Sequence, residues 1–247
     1  GLGPVAGAVL LLWIARLAHG RRARVLLYSR PRKGNTWQPE DEAFFRVPAR
    51  RYAVACNTFH AFNLRRMRAL VGARADDIVE GAIGYLASRF GRQPSRVQLL
   101  GSKKTRAPSS PYALQMAAAN ARLKHPIALV GKSGALNTAA WKSVTAVNKG
   151  EYAKASALLL QALDAARRAG YAAVVLGCTE YSVAAHFAIE RNASSLDRDV
   201  VVDPLAILAR RVLGCGWRFS HARGVDVCEC ESPGHCASVT AGVAQSR

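Results

Sequence analysis

The chain has 247 residues, half of them apolar, with 35 lysines and arginines against 16 acidic residues and a formal net charge of +19. That length buries a sizeable core, in one large domain or two small ones, and the apolar share excludes an intrinsically disordered chain. The charge suits nucleic-acid binding, but the basic residues are spread singly among alanines, with no helix-turn-helix, zinc-finger spacing or aromatic RNA-binding strand, so it reads as a solvated arginine-rich surface with no nucleic-acid partner.

Gly1-Leu-Gly3-Pro4 reads as a tight turn that opens a helix over 5–18. This apolar run is too short to span a bilayer, and Arg16 interrupts it. Its basic neighbours Arg21, Arg22 and Arg24 follow it, whereas an export signal puts them first. A buried core helix, no membrane association and a cytoplasmic location with reduced thiols are therefore expected. Residues 24–28 are expected to form a short strand, 29–40 a polar loop, and 52–56 a strand followed by helices over 60–70 and 74–90. After a linker at 93–95, a strand over 96–100, a loop over 101–105, a helix over 110–123 and a strand over 126–130 follow. Helices over 139–147 and 151–169 precede a strand over 172–177. Val200-Val-Val202 then leads through Asp203-Pro204 into a helix over 204–213, with Asp203 read as its cap. Strands alternating with helices imply parallel sheets covered on both faces. The tail, 215–247, lacks apolar periodicity and is expected to be loosely ordered. Its Cys228, Cys230 and Cys236, with His221 and His235, do not have the paired spacing of a zinc site, so no metal is assigned, and Cys215 is read as incidental.

One pattern occurs twice. Tyr52-Ala-Val-Ala-Cys56-Asn57-Thr58-Phe-His60 and Ala172-Ala-Val-Val-Leu-Gly177-Cys178-Thr179-Glu180-Tyr-Ser182 each read as a buried strand that delivers a cysteine to its carboxyl end before a helix begins. A thiol becomes a base as its thiolate, and a helix N-terminus or a nearby cation favours that form. Two equivalent thiols in two similar halves suit proton transfer at a carbon acid from both of its faces. Asn57, Thr58, Thr179, Ser102 and Thr105 supply donors for a carboxylate, whose stabilisation matters most as charge spreads into it. His60 and Glu180 are read as residues that shape the site or start a helix.

These segments resemble the aspartate/glutamate racemase family, which works without pyridoxal phosphate. Ala55-Cys-Asn-Thr58-Phe-His60 and Leu176-Gly-Cys-Thr-Glu180 look like its two signature motifs. Gly1-Leu-Gly3-Pro4 looks like its first glycine-rich turn, Leu99-Leu-Gly101-Ser-Lys-Lys-Thr105 like its second-domain loop, and Val147-Asn-Lys149-Gly150 like its lysine-glycine segment. Glu180 after Cys178-Thr179 is similar to the aspartate-racemase branch, since glutamate racemases usually carry histidine there.

The resemblance implies two similar α/β domains with parallel sheets, related by a pseudo-twofold axis, and an active site in the interdomain cleft. It places the first domain at 1–93, the second at 94–199, a strand and helix returning to the first domain at 200–214, and the cysteine-rich tail at 215–247. It implies a homodimer, no cofactor, and racemisation between the L and D forms of an acidic amino acid, aspartate in preference to glutamate. Cys56 and Cys178 would be the catalytic pair, with Asn57, Thr58, Ser102, Thr105, Lys149, Thr179, Glu180 and Arg32 binding substrate. Lys149 would meet a side-chain carboxylate, and Arg32 is the candidate for the arginine with that role. The sequence departs from the family by starting inside the first turn, without the strand that precedes it, and by a short stretch from Pro31 to Cys56. Two alternatives accompany this reading: a hydantoin-racemase or maleate-isomerase type, and an inactive truncated paralogue acting as a basic binding protein.

Overall fold

The computed structural model describes residues 4–18, 25–26, 37–131, 134–190, 200–220 and 225–230. Helix α1 (Pro4–Ala18) turns one stripe, Ala6, Val9, Leu10, Ile14 and Ala18, into the core and leaves Leu11 and Leu12 toward solvent. Of the strand expected at 24–28, only Val25 and Leu26 are described. Both are exposed, and neither pairs with a strand among the described residues. Arg32 and the turn at 1–3 lie outside the described residues.

Helix α2 (Pro39–Arg46) begins inside the stretch expected to be loop. Its start signals are all present: Pro39 in the first turn, Glu40, Asp41 and Glu42 beside the N-terminal dipole, and the Gln38 N–H donating to Asp41 Oδ2 at 2.8 Å. Strand β1 (Tyr52–Ala53) is shorter than expected because its parallel partner β2 (Ala75–Asp76) is itself only two residues long. Cys56 already serves as N-cap of α3 (Asn57–Val71), which therefore starts before residue 60. A 3₁₀ turn at Gly72–Arg74 and β2 displace the start of the next helix, α4 (Ile78–Phe90), where Asp77 Oδ1 accepts the Val79 N–H at 2.8 Å.

Four strands form one parallel sheet: β3 (Ser95–Leu100), β4 (Ile127–Val130), β5 (Ala173–Leu176) and β6 (Val201–Val202), in the order β4-β3-β5-β6. Val97 is in register with Ala173 and Leu100 with Leu176. Strand β5 is an apolar run buried on both faces, and β3 is buried at every position but Arg96, as a parallel sheet covered on both sides requires. Helices α5 (Pro111–Asn120), α6 (Gly134–Asn148), α7 (Tyr152–Arg168), α8 (Thr179–Glu190) and α9 (Pro204–Val212) complete the layers. Helix α9 packs on α1 and α4, while the strand just before it pairs with β5. The tail expected to be loose instead begins with an antiparallel hairpin, β7 (Cys215–Ser220) and β8 (Val225–Cys230), with Cys215 opposite Cys230. The alternation of Val225-Asp226-Val227 is the sequence signal for it.

Two apolar clusters result. The larger gathers the main sheet, α1, α4, α5 and the helices after them, and it includes Cys178. The smaller gathers Phe45, Tyr52, Cys56, Phe59, Met67, Val71 and Ala75 under Trp37 and Phe44. Trp37 stacks on Phe45 and Phe59, with centroids 5.5 and 6.0 Å apart. Each cluster contains one cysteine of the repeated pattern.

Candidate active site

Cys56 is 1% exposed at the hand-over from β1 to α3. Its backbone is extended, and its sulfur accepts the Phe59 N–H at 3.3 Å, as an N-cap side chain does. Burial pushes this thiol up, and the Glu180 charge adds to the effect, while the N–H groups of Phe59 and Thr58 act the other way. His60, one turn on, fixes the segment: Nδ1 faces Cys56 O at 2.8 Å and Nε2 faces Asp76 O at 3.1 Å, tying α3 to β2.

Cys178 lies in the turn from β5 to α8 and is 6% exposed. Gly177 makes that turn possible. A Cβ there would stand 2.6 Å from Leu100 O and 2.7 Å from Leu99 Cδ1, so only glycine lets β5 lie this close to β3. The Cys178 thiol donates to Glu180 Oε2 at 2.8 Å. Burial pushes this thiol well up, the Glu180 carboxylate pushes it further, and a charge on Cys56 adds to both. Burial also acts upward on Glu180, but the hydrogen bond from Cys178 is among the contacts that hold its carboxyl below the ordinary value. The proton therefore belongs to sulfur. Cys56, Cys178 and Glu180 lie within electrostatic reach of one another.

The loop after β3 packs against the Cys178 turn. Ser102 Oγ and Thr105 Oγ1 are 2.9 Å apart, the Thr105 N–H donates to Ser102 Oγ at 3.1 Å, and a Cβ on Gly177 would stand 3.1 Å from Thr105 Cγ2. Arg106 braces this loop by donating to Gly101 O at 2.9 Å and Gly131 O at 2.8 Å. Asn57 and Thr179 follow the two cysteines and are buried; Thr58 is half-buried. The structure thus gathers Cys56, Asn57, Thr58, Ser102, Thr105, Cys178, Thr179 and Glu180. Lys149 is not in this buried group: it stands exposed at the end of α6, beside Glu151. Asp203 caps α9, its Oδ1 accepting the Leu205 N–H at 2.9 Å and the Ser182 hydroxyl at 2.6 Å.

Three residues here went unmarked by motif. Tyr112 donates to Asn57 Oδ1 at 2.7 Å, and Tyr181 is fully buried within electrostatic reach of Cys178 and Arg106, its hydroxyl without a partner among the described residues. Burial pushes both phenols up, so both remain O–H donors. Arg106 is the third. Tyr181 lies within the second repeated pattern and Arg106 one residue past Thr105, but neither is marked as functional there, and Tyr112 stands in no motif. Among the described residues no cluster of three or more His, Cys, Asp or Glu could hold a metal ion, and no helix is long and apolar enough to cross a membrane.

The family model of Asp/Glu/hydantoin racemases matches residues 43–212, a span that includes both cysteine turns. The chain belongs to the Asp/Glu/hydantoin racemase family. Family membership makes it a racemase and hence an isomerase. Solved racemase structures share its fold. An aspartate racemase homologue from Pyrococcus horikoshii OT3 superposes with a TM-score of 0.54 at 17% identity, over 85% of this chain and 93% of that one. Glutamate racemase from Francisella tularensis subsp. tularensis SCHU S4, in complex with D-glutamate, gives 0.54 at 14% identity, over 84% and 76%. Glutamate racemase from Campylobacter jejuni subsp. jejuni gives 0.54 at 15% identity, over 86% and 82%. No curated protein matches the chain.

Proposed function

We propose that this racemase interconverts the L and D forms of an acidic amino acid, aspartate in preference to glutamate, by passing protons between substrate and two thiols without a cofactor. The observation that carries this reading is the opposite hydrogen bonding of two buried cysteines. Cys56 sulfur accepts an N–H at a helix start, whereas Cys178 donates its proton to Glu180. A thiolate is therefore better supported at Cys56, which faces a donor, than at Cys178, which faces a carboxylate, an asymmetry that suits two-base proton transfer with one sulfur as base and the other as acid.

In one direction the Cys56 thiolate takes the α-proton, and the electron pair left on carbon spreads into the carboxylate. The Cys178 thiol then gives its proton to the opposite face, inverting the centre. Cys56 ends as thiol and Cys178 as thiolate, and the reverse reaction uses them in exchanged roles. The N–H and hydroxyl donors of Asn57, Thr58, Ser102, Thr105 and Thr179 would hold the carboxylate as charge spreads into it. Lys149 and Arg32 remain candidates for the side-chain carboxylate. Glu180, where glutamate racemases usually carry histidine, supports the aspartate preference. A division near residues 93 and 94 into two similar domains with the site between them belongs to the same reading, as does a homodimer in the cytoplasm.

Proton NMR of L-aspartate and L-glutamate in heavy water tests it. Loss of the α-proton signal, faster for aspartate and abolished by Cys56→Ser and by Cys178→Ser, is the predicted result. A folded protein that exchanges neither substrate would overturn the reading, and exchange with a hydantoin instead would reassign the substrate within the family.

A further inference from the structure

Tyr112 belongs to none of the sequence motifs, yet its hydroxyl reaches the first cysteine turn from α5. The phenol is 1% exposed and donates to Asn57 Oδ1 at 2.7 Å; Asn57 is 4% exposed. This bond occupies the acceptor end of the amide. The donor end, Nδ2, is buried and has no partner among the described residues. Buried amide donors are nearly always satisfied, so one left open beside two candidate catalytic thiols calls for an acceptor from a ligand. Asn57 follows Cys56 directly, and Cys178 lies within electrostatic reach of the phenol that holds the Asn57 amide.

An amide turned by half a rotation would present oxygen to a carboxylate and repel it. A phenol that donates to the oxygen selects the other orientation. We propose that Tyr112 is a positioning residue, which holds Asn57 through its Oδ1 so that Nδ2 donates to the substrate carboxylate. This rests on the racemase reading, and it adds to that reading a residue whose action is entirely through another side chain.

The test is a double-mutant cycle on α-proton exchange of L-aspartate in heavy water. Tyr112→Phe keeps the ring and removes the hydroxyl. It should lower kcat/KM about tenfold or more, the size expected for one well-placed hydrogen bond. Asn57→Ala should lose at least as much, and the double variant no more than Asn57→Ala alone, because both remove one interaction. A merely structural phenol would give losses that multiply. Tyr112→Phe within twofold of the wild type, or multiplying losses, would overturn the proposal while wild-type exchange kept the racemase reading. Absence of exchange in the wild type would sink both. Should Tyr112→Phe fail to fold, nitrogen-15 NMR of the wild type decides. The Asn57 side-chain amide signals should shift on addition of L-aspartate, and unmoved signals would refute the proposal.

Discussion

At the scale of single residues, the two cysteines occupy equivalent turns but sit in different electrostatic surroundings. Both thiols are pushed up by burial, and Cys178 is pushed further by the carboxylate that accepts its proton. The sign follows directly. Each fold-raised thiol favours the protonated form, so its stabilising contribution is full below the ordinary thiol value and is lost as pH rises through the raised one. Glu180→Gln removes the carboxylate charge, and the Cys178 titration should then move to lower pH. Alkylation of Cys178, followed peptide by peptide by mass spectrometry across pH in a Cys56→Ser background, reads this directly. An inflection that stays in place would mean that Glu180 does not govern Cys178. The cysteines, Asn57, Thr179 and Glu180 were legible in sequence because a strand, a cysteine and small polar residues recur together. Tyr112 and Arg106 were not, since their roles depend on contacts with Asn57 and with Gly101 and Gly131 that no local pattern encodes.

At the scale of elements, the site is made by strand ends that deliver side chains to helix starts. Strand β5 approaches β3 closely at its end, where the Gly177 N–H donates to Leu100 O at 2.8 Å. Gly177→Ala would force a Cβ to within 2.6 Å of that oxygen. Rigid backbone cannot yield as a side-chain tip does, so a loss of about 2–3 kcal/mol is expected, typical of overpacking. That corresponds to a melting point lower by roughly 4–12 °C for a chain of this size. A melting point unchanged within a degree would show that the turn relaxes at no cost. The long apolar elements, β3, β5, α7 and α9, were readable because burial on both faces or a helical stripe fills the window. The two-residue strands β1 and β2 were not, because two residues carry no period and their pairing is decided by tertiary contact. Helix α2 was hidden by its polar first turn, although Pro39 and three acidic residues are helix-start signals.

At the scale of the molecule, the formal net charge is +19. Exposed pairs such as Arg68 with Glu80 and Lys154 with Glu151 are screened by solvent and contribute little. The buried Asp76 is held by Arg51 at 3.3 Å and Arg211 at 3.5 Å, and this links β2 to α9 rather than to the thiols. The two cysteines of the proposed site come from two cores, one around the aromatic cluster of Trp37, Phe45 and Phe59 and one around the parallel sheet. The parallel α/β architecture was readable from alternating strands and helices. The hairpin of 215–230 was not, since a cysteine-rich segment with short alternation reads as readily as loop.

The measurement that tests the two-thiol account most directly is the isotope content of both enantiomers early in the reaction of L-aspartate in heavy water. Two bases on opposite faces predict D-aspartate that carries deuterium at the α-carbon while the remaining L-aspartate keeps its proton. Deuterium entering recovered L-aspartate as fast as D-aspartate forms would mean that a single base serves both faces, and the account would be wrong.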